Sequence, residues 1–369
     1  MPHDVENGSL VSVLSAEGRV LGTGYYNGRS QIAVRLLAFH EAVIDEAFFK
    51  GALKQAVEFR KQFINSDGTN AYRIVFGESD GLPGLVVDRY DDFLVIQIHT
   101  LGMDKLRPQL LEALKSVLPS QGIYERSDLE VRKKEDLRTF PKGVLSGQQP
   151  PDHLEICEHG IKFFVDIKNG QKTGFFLDQR ENRQAIIPFT KGKNVLNLCC
   201  YSGGFSVAAL TGGAARTTNV DISKPVLDLA RSNFELNGFD PSLHRFISRD
   251  AFEYLDECIG SGEKFDFAVV DPPAFVKNRE SLAHGTNAYI KLYAKVMKVL
   301  GHESILASSS CSSHVTPELY RMILFKAALE AKKDLVILEQ RIQPPDHPLR
   351  VNFPEGEYLK FAISRVNPY

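Results

Sequence analysis

The spacing of hydrophobic residues changes along the chain and divides it into three predicted regions. In residues 1–41, short runs of alternating apolar and polar positions are separated by Gly and Asn turns, which predicts a small β module. Residues 42–165 begin with helical spacing and continue with strand-like runs, which predicts an α+β unit. Within that unit, the mixed-sign charged run Val131–Arg138 is typical of a solvated face. The elements predicted here are strands Leu10–Leu14, Gly22–Tyr26, Ile32–Leu37, Phe93–Ile98 and Ile123–Arg126, a strand–turn–strand unit over Tyr72–Val87, helices Val43–Phe63 and Arg107–Val117, and a hairpin within His153–Val165.

In residues 166–369, apolar strands alternate with amphipathic helices. Such alternation predicts an α/β domain with a Rossmann-like, mostly parallel sheet that has helices on both faces. The predicted helices are Lys224–Leu236, Tyr289–Leu300 and Pro317–Ala331, and the predicted strands include Arg245–Ile247, Phe265–Val270, Ser304–Ser309, Leu335–Glu339 and Leu359–Val366.

This third region is organised around the stretch Asn194–Asp221. It consists of an apolar strand, a turn containing Gly203 and Gly204, a helix, and a second strand that ends at Asp221. A carboxylate at the tip of that strand can accept hydrogen bonds from ribose hydroxyls. The turn lacks the G-x-G-x-x-G pattern that holds a pyrophosphate, and S-adenosylmethionine carries a ribose but no pyrophosphate. The stretch therefore favours S-adenosylmethionine, and the alternative is a packed βαβ unit whose glycines serve only close approach.

Three carboxylates follow successive predicted strands, namely Asp221, Asp250 and Asp271. In open α/β sheets, ligands bind outside the carboxyl ends of the strands. Three acids at that edge could separately hold the ribose, the adenine amine and the target of a methyl donor. Asp250 has a simpler alternative, because it could cap a helix that begins at Ala251.

The segment Asp271–Phe275 reads Asp-Pro-Pro-Ala-Phe. Pro272 and Pro273 fix a rigid, extended turn that can aim the acid at a flat base. Phe275 could stack on that base, as aromatic side chains do in nucleic-acid-binding proteins. The alternative is a purely structural Pro-Pro turn.

Cys311 follows the next predicted strand and lies among small polar residues. Most lone cysteines are small buried hydrophobes, but a thiolate at a strand end is accessible for nucleophilic catalysis. Carbon 5 of cytosine becomes nucleophilic when a thiolate adds to carbon 6 while an acid engages ring nitrogen 3. Cys311 and Asp271 are therefore the candidate catalytic pair, and for Asp271 to serve as an acid near neutral pH its pKa must be raised by burial. We expect Cys199 and Cys200 to line or back the cofactor pocket.

Composition narrows the partners that this chain of 369 residues can have. The formal net charge is −2, from 44 Lys and Arg against 46 Asp and Glu, so any nucleic-acid surface must be a local patch. The five cysteines form no C-x-x-C pair, which argues against a disulfide framework and a zinc site. The start of the chain carries no secretory signal, and no apolar run approaches the ~18 residues of a membrane span. We expect a cytoplasmic protein with no membrane and no metal.

Several longer motifs carry a family resemblance. They are Gly77–Gly84, Tyr124–Ser127, Arg132–Glu135, Lys172–Arg180, Tyr201–Phe205, Asp271–Pro273, Ser310–Ser312, Asp346–Pro348 and Pro354–Gly356. Together they resemble the bacterial 23S rRNA 5-methylcytosine methyltransferases with a PUA domain, from about residue 8 to the end. The resemblance implies a PUA-like module over 1–41, a central α+β domain over 42–165, and a class I methyltransferase domain over 166–369. The last of these would have a seven-stranded sheet with an antiparallel last strand.

The resemblance also implies site residues and partners. The substrate would be a cytosine in 23S ribosomal RNA, with a homodimer as the assembly to test, and Thr173–Arg180 would close the cofactor pocket. The residues implied for S-adenosylmethionine are Asp178, Asn197, Tyr201, Ser202, Gly203, Gly204, Asp221, Asp250 and Asp271, and those for RNA are Pro272, Pro273 and Phe275.

The chain departs from the family pattern in several places. Family members usually begin with a basic PUA stretch, and this chain starts after it, so we expect a shortened module. Ser309 stands where an aromatic residue is expected, and Ala274 stands where Lys is expected, or where two-cysteine relatives keep a product-release cysteine. Two alternatives stay open: an enzyme that methylates an exocyclic amine of guanine or adenine with Cys311 as a bystander, and a non-catalytic RNA-binding or assembly factor.

Overall fold

The computed structural model describes residues 5–369, so the first four residues of the predicted first module lie outside the described part. The described chain divides into two compact units. The first unit contains residues up to Gly160, Val165–Leu177 and Pro345–Gly356, and the second contains Ile161–Phe164, Asp178–Pro344 and Glu357–Tyr369. The boundaries of the three predicted regions stay a prediction.

The first unit is built from mostly antiparallel β-sheet, with one parallel pair between Phe93–Ile98 and Gly122–Arg126, and from amphipathic helices. Its elements are β1 Leu10–Leu14, β2 Val20–Tyr26, β3 Val34–Ala38, α1 Glu46–Lys61, β4 Ala71–Phe76, β5 Leu85–Tyr90, β6 Phe93–Ile98, α2 Leu101–Lys105, α3 Arg107–Val117, β7 Gly122–Arg126, β8 Lys142–Gly147 and β9 Leu154–Glu158. Strands β1, β2 and β3 form one sheet, and a second sheet has the order β4-β5-β6-β7-β8. The apolar faces of α1 and α3 bury Phe49, Leu53, Leu110 and Leu114 in the core of this unit.

The charged run Val131–Arg138 is only partly solvated, and the prediction was wrong for Arg132, Glu135 and Leu137, which are buried. Arg132 is fully buried, and its guanidinium pairs with Asp104 at 3.3 Å. Glu135 is also buried and pairs with Arg35 at 2.9 Å. The two lysines between them are exposed. Sequence pattern alone does not separate these buried ion pairs from exposed charges, because their partners are remote along the chain.

The second unit contains a doubly wound sheet, as predicted. The remaining elements of the chain are β10 Ile161–Val165, α4 Arg180–Ile186, β11 Asn194–Leu198, α5 Gly204–Thr211, β12 Arg216–Asp221, α6 Lys224–Leu236, β13 Arg245–Ser248, α7 Ala251–Ser261, β14 Phe265–Val270, α8 Leu282–Val299, β15 Leu300–Ser310, α9 Pro317–Ala331, β16 Lys333–Arg341 and β17 Lys360–Pro368. The sheet has the strand order β13-β12-β11-β14-β15-β17-β16. Strands β11 to β15 run parallel, and β17 is antiparallel to both of its neighbours.

Alternate residues of the central strands enter two separate cores. Leu196 and Leu198 of β11 belong to a large cluster with residues of α8 and α9. Val195 of the same strand belongs to a cluster with Phe205 of α5. Because successive side chains point to opposite faces of a strand, helices cover both faces of this sheet. The carboxyl edge of the parallel strands is left to the connecting turns.

Helix α8 and strand β15 differ from their predicted bounds. The helix begins at Leu282 rather than at Tyr289, and the strand already begins at Leu300. Gly285 lies in the first turn of this helix. A Cβ at that glycine would lie 2.5 Å from Cγ2 of Val276, so glycine serves close packing here and does not end the helix. Strand β8 was not predicted at all.

Three further properties hold for residues 5–369. No helix there combines the length and the hydropathy needed to cross a membrane. The same residues contain no group of three or more His, Cys, Asp or Glu side chains arranged to hold a metal ion. All five cysteines are free thiols.

Candidate active site

The turn between β11 and α5 has an unusual backbone. Cys199, Tyr201 and Gly203 have φ values of 56°, 48° and 78°. A Cβ at Gly203 would lie 3.0 Å from the Cβ of Ala230, so the turn is closely packed as well as left-handed. Oδ2 of Asp221 accepts a hydrogen bond from the backbone N–H of Tyr201 at 3.0 Å. Residues with side chains rarely adopt positive φ, and such strain clusters at ligand-binding sites.

The three carboxylates predicted at strand ends lie at one edge of the sheet and act on one thiol. The pKa of Cys199 is raised to about 12, first by burial and then by the negative charges of Asp221, Asp271 and Asp250. The strand register supports this, because Leu198 pairs with both Val220 and Val270, and Asp221 pairs with Ser248. The structure therefore brings to one edge of the sheet three residues that are spread over 51 positions of the chain.

Asp250 is the N-cap of α7, as its simpler interpretation predicted. Its Oδ1 accepts hydrogen bonds from the backbone N–H groups of Phe252 at 2.8 Å and Glu253 at 3.3 Å. The side chain is exposed, and its Oδ2 makes no hydrogen bond within residues 5–369. The capping role therefore leaves one carboxylate oxygen for a ligand.

Two buried oxygen atoms near the glycine turn lack partners in the described part of the chain. Asn197 donates from Nδ2 to Oγ of Ser206 at 2.9 Å, but its Oδ1 is buried and unpaired. Oγ of Ser202 is likewise buried and unpaired. Buried polar atoms in proteins are normally hydrogen-bonded, so these two are the atoms that a polar ligand would satisfy. Together with the carboxylates, this donor and acceptor set fits the hydroxyl-rich, cationic S-adenosylmethionine.

The predicted pocket-closing segment Thr173–Arg180 is divided between the two units. In the first unit, the buried hydroxyl of Thr173 donates to Oδ2 of Asp88 at 2.6 Å. In the second unit, Asp178 is buried and its Oδ2 accepts a hydrogen bond from the Tyr358 hydroxyl at 2.7 Å. Each end of the segment is thus held by side chains of its own unit.

The Pro-Pro turn begins at Asp271, which is half-buried directly after β14. Pro273 is exposed, whereas the Phe275 ring packs 4.7 Å from the ring of Tyr289 and 6.5 Å from that of Phe252. Much of the Phe275 surface is therefore used inside the protein. Stacking of Phe275 on a base stays a prediction.

Cys311 lies in a densely hydrogen-bonded stretch, residues 308–313, that we call the Cys311 segment. Gln179 donates from Nε2 to Oγ of Ser309 at 3.0 Å, so the serine that departs from the family pattern has a bonding role. Three tyrosine hydroxyls also bind the segment, namely Tyr293 to the Ser309 carbonyl at 2.5 Å, Tyr320 to Ser308 Oγ at 2.7 Å, and Tyr289 to Ser312 Oγ at 2.9 Å. Cys311 itself directly follows β15 and is half-buried, so part of its surface reaches solvent.

The Cys311 segment and the Pro-Pro turn are neighbours. Val270, the last residue of β14, pairs in register with Ser308 of β15. Beyond the strand ends, the backbone N–H of Val276 donates to Oγ of Ser312 at 3.3 Å. The two candidate catalytic residues therefore emerge from adjacent parallel strands at the same edge of the sheet.

Lys360 is a residue of this site that the sequence analysis missed. It is 4% exposed, and its Nζ donates to the carbonyl oxygens of Ser312 at 2.6 Å and Tyr358 at 2.8 Å. Burial lowers the pKa of Lys360 to about 8, while the neighbouring Cys311 and Glu357 raise it. The available clue was a lysine between Leu359 and Phe361, at the first position of β17, because apolar runs rarely tolerate a charge without a reason.

A sheet with this strand order, an antiparallel β17 and carboxylates at the carboxyl edge defines a class I methyltransferase domain. The crystal structure of SMU.776 complexed with SAH superposes on this chain with a TM-score of 0.87, at 28% identity over 99% of this chain and 93% of that one. A methyltransferase structure from Streptococcus mutans gives a TM-score of 0.85 at 27% identity, again over 99% of this chain and 93% of that one.

Sequence comparison assigns the family. The S-adenosylmethionine-dependent methyltransferase family matches residues 129–356, and a PUA-like domain matches residues 1–39. The ribosomal RNA large subunit methyltransferase I of Aeromonas hydrophila is 44% identical over 98% of this chain and 91% of its own length. The protein of the same name from Yersinia pestis is 42% identical over 98% of this chain and 92% of its own length. The chain belongs to the S-adenosylmethionine-dependent methyltransferase family, and S-adenosylmethionine is its cofactor.

Proposed function

We propose that this protein methylates carbon 5 of a cytosine in large-subunit ribosomal RNA. Relatives that match nearly its whole length are named ribosomal RNA large subunit methyltransferases. The observation that carries the choice of carbon 5 is the position of Cys311. Its half-buried thiol follows β15 directly beside the strand that carries Asp271, where a nucleophile and an acid can act on one base.

The cofactor would be held by the residues around the glycine turn. S-adenosylmethionine, when bound, supplies an electrophilic methyl group. Asp221 and the exposed oxygen of Asp250 would accept its hydroxyl and amine hydrogens. The buried oxygens of Ser202 and Asn197 would form hydrogen bonds with the bound cofactor. The other residues proposed to contribute to the cofactor site are Asp178, Tyr201, Gly203, Gly204 and Asp271.

The chemistry of the target base would fall to two side chains. The Cys311 thiolate adds its electron pair to carbon 6 of the cytosine, and Asp271 donates a proton to ring nitrogen 3. As a result of these two steps, the double bond in the ring shifts, and carbon 5 becomes an enamine-type nucleophile. After carbon 5 has gained the methyl group, a base removes its proton, the carbon–sulfur bond breaks, and the thiolate is released. Asp271 takes back the proton from nitrogen 3 as the ring double bond re-forms.

Methyl transfer to unmodified ribosomal RNA with labelled S-adenosylmethionine tests this proposal. Cys311→Ala and Cys311→Ser should both reduce the incorporation of label into cytosine carbon 5 to background, while cofactor binding is retained. Cys157→Ser is the matched control, because this other half-buried cysteine lies in the first unit. RNA that contains 5-fluorocytosine should form a covalent adduct with the wild type, because fluorine on carbon 5 cannot leave as a proton does.

The alternatives give different results in the same assay. Undiminished transfer in both Cys311 variants, with the label on an exocyclic amine, would contradict the thiolate mechanism. Cofactor binding without transfer to any ribosomal RNA would favour the assembly factor. A cytoplasmic location and a homodimer stay predictions, as do RNA contacts by Pro272, Pro273 and Phe275.

A further inference from the structure

We infer that Lys360 is a positioning residue for Cys311, whose buried ammonium holds the Cys311 segment in place and favours the thiolate form of the sulfur. This inference rests on the proposed function, because it concerns the residue proposed as nucleophile. Nothing in the family match or in the names of the relatives assigns a role to this lysine.

The geometry places Lys360 against both chain neighbours of Cys311. In the antiparallel pairing of β15 and β17, Lys360 lies opposite Ser310. Its ammonium donates to the carbonyl oxygen of Ser312 at 2.6 Å. The backbone of Lys360 thus pairs with the residue before the cysteine, and its side chain binds the residue after it. Removal of the ammonium would release one of the bonds that hold the Cys311 segment.

The charge of Lys360 is poorly compensated. Within residues 5–369, no carboxylate lies within ion-pairing distance of its Nζ, and the bonds it makes are to two backbone carbonyls. A buried charge without a counter-ion is costly, and proteins usually pair it or neutralise it. A thiolate at Cys311 would supply that counter-charge. In line with this, Cys311 raises the pKa of Lys360 against the lowering caused by burial.

The coupling must act in both directions. If the thiolate favours the ammonium, the ammonium favours the thiolate by the same free energy. Lysine and arginine beside a cysteine are among the groups that lower thiol pKa values in proteins. Among the other titratable groups that act on this pair are Glu357, which raises the pKa of Lys360, Tyr289, which interacts with Cys311, and Asp271, which follows the adjacent strand. These three are acidic groups, whereas the Lys360 ammonium carries the positive charge that favours a thiolate.

The test measures the alkylation of Cys311 by iodoacetamide against pH, with each cysteine followed separately by peptide mass spectrometry. Lys360→Met should lower the alkylation rate of Cys311 near neutral pH about tenfold, which corresponds to a thiol pKa raised by about one unit. Lys360→Arg keeps the charge and should restore the rate to within about threefold of the wild type. Lys264→Met is the control, because Lys264 also donates to a backbone carbonyl but is exposed.

The outcomes separate this inference from the proposed function. Superimposable Cys311 profiles in the wild type and Lys360→Met would overturn the inference, as would equal slowing by Lys360→Arg. Should Lys360→Met not fold, the wild-type profile decides, since the native Cys311 must then titrate below the same cysteine in the urea-denatured chain. Because alkylation needs no RNA, a wild type that transfers no methyl group would contradict the proposed function alone.

Discussion

The buried ammonium of Lys360 should leave a signature in the pH dependence of stability. Its pKa is lowered from 10.5 to about 8, with burial as the largest cause. Below about pH 8 the lysine is charged in both the folded and the unfolded chain, so the whole cost of burying the charge opposes folding. As the pH rises from about 8 towards 10.5, the folded protein loses its proton first, and that cost is progressively relieved.

The size of the effect follows from linkage. Between about pH 7 and about pH 9.5, a lysine with these two pKa values adds about 2 kcal/mol to the free energy of unfolding, at about 1.4 kcal/mol per pKa unit. Lys360→Met cannot show this gain. The variant also loses two hydrogen bonds to carbonyls, but that loss does not depend on pH and so does not affect the comparison.

Urea denaturation of the wild type and Lys360→Met at several pH values measures the difference. If two transitions appear, the one that shifts with added S-adenosylmethionine reports on the second unit. Repeating the pair in a Cys311→Ala background removes the thiol, and the gain should persist because burial is its main cause. A difference between the two proteins that stays constant within about 0.5 kcal/mol from pH 7 to 9.5 would refute the reasoning.

Three further predictions use other parts of the chain. Gly203→Ala should lower the free energy of unfolding by about 1–2 kcal/mol and weaken cofactor binding, because φ at this position is 78°. In the same thermal melts, Gly51→Ala in the open middle of α1 should raise the free energy of unfolding by up to about 1 kcal/mol. Asp250→Ala should lower the free energy of unfolding by about 1 kcal/mol and Asp250→Asn by much less, because asparagine can still cap the helix. In calorimetry, both variants should bind S-adenosylmethionine more weakly than the wild type. Unchanged binding by Asp250→Asn would mean that Asp250 serves only as a helix cap. Arg132→Met should cost about 3 kcal/mol, because the carbonyls of Ile98 and Thr139 lose their buried donor and Asp104 loses one of its two arginine partners. Exposed Lys133→Met should stay within about 0.5 kcal/mol, and equal effects of the two variants in urea denaturation would contradict a structural role for the buried Arg132.

The sequence predicted correctly the ends of those elements that begin or stop because of residues close by along the chain. Helix α9 begins at Pro317 as predicted, after Thr316, whose side chain accepts a hydrogen bond from the N–H of Leu319. A capping threonine followed by proline is a sufficient start signal by itself. The start of α8 was missed because Gly285 serves packing against Val276, and no local pattern reveals such a contact.

The residues of the candidate site likewise include some that the sequence could predict and one that it could not. The carboxylates of Asp221, Asp250 and Asp271 could be predicted to meet, because parallel strands bring their carboxyl ends to one edge of the sheet. Lys360 could not, because its contact with Ser312 joins positions 48 residues apart through an antiparallel pairing. The register between β15 and β17 is a tertiary property, and the local pattern around Lys360 indicates only a strand.

The small polar residues around Cys311 show that local composition is a poor guide to the rigidity of this segment. A run of serines looks like a flexible loop, yet Ser308, Ser309 and Ser312 each accept or share a hydrogen bond with a tyrosine or with Gln179. Because these partners come from separate elements of the second unit, the segment can be rigid only once that unit is assembled. A nucleophile must be held within a fraction of an ångström of its productive position, and side chains locked by surrounding hydrogen bonds provide that restraint. Serine at position 309 is therefore best understood as part of the support for the thiol rather than as the loss of an aromatic residue.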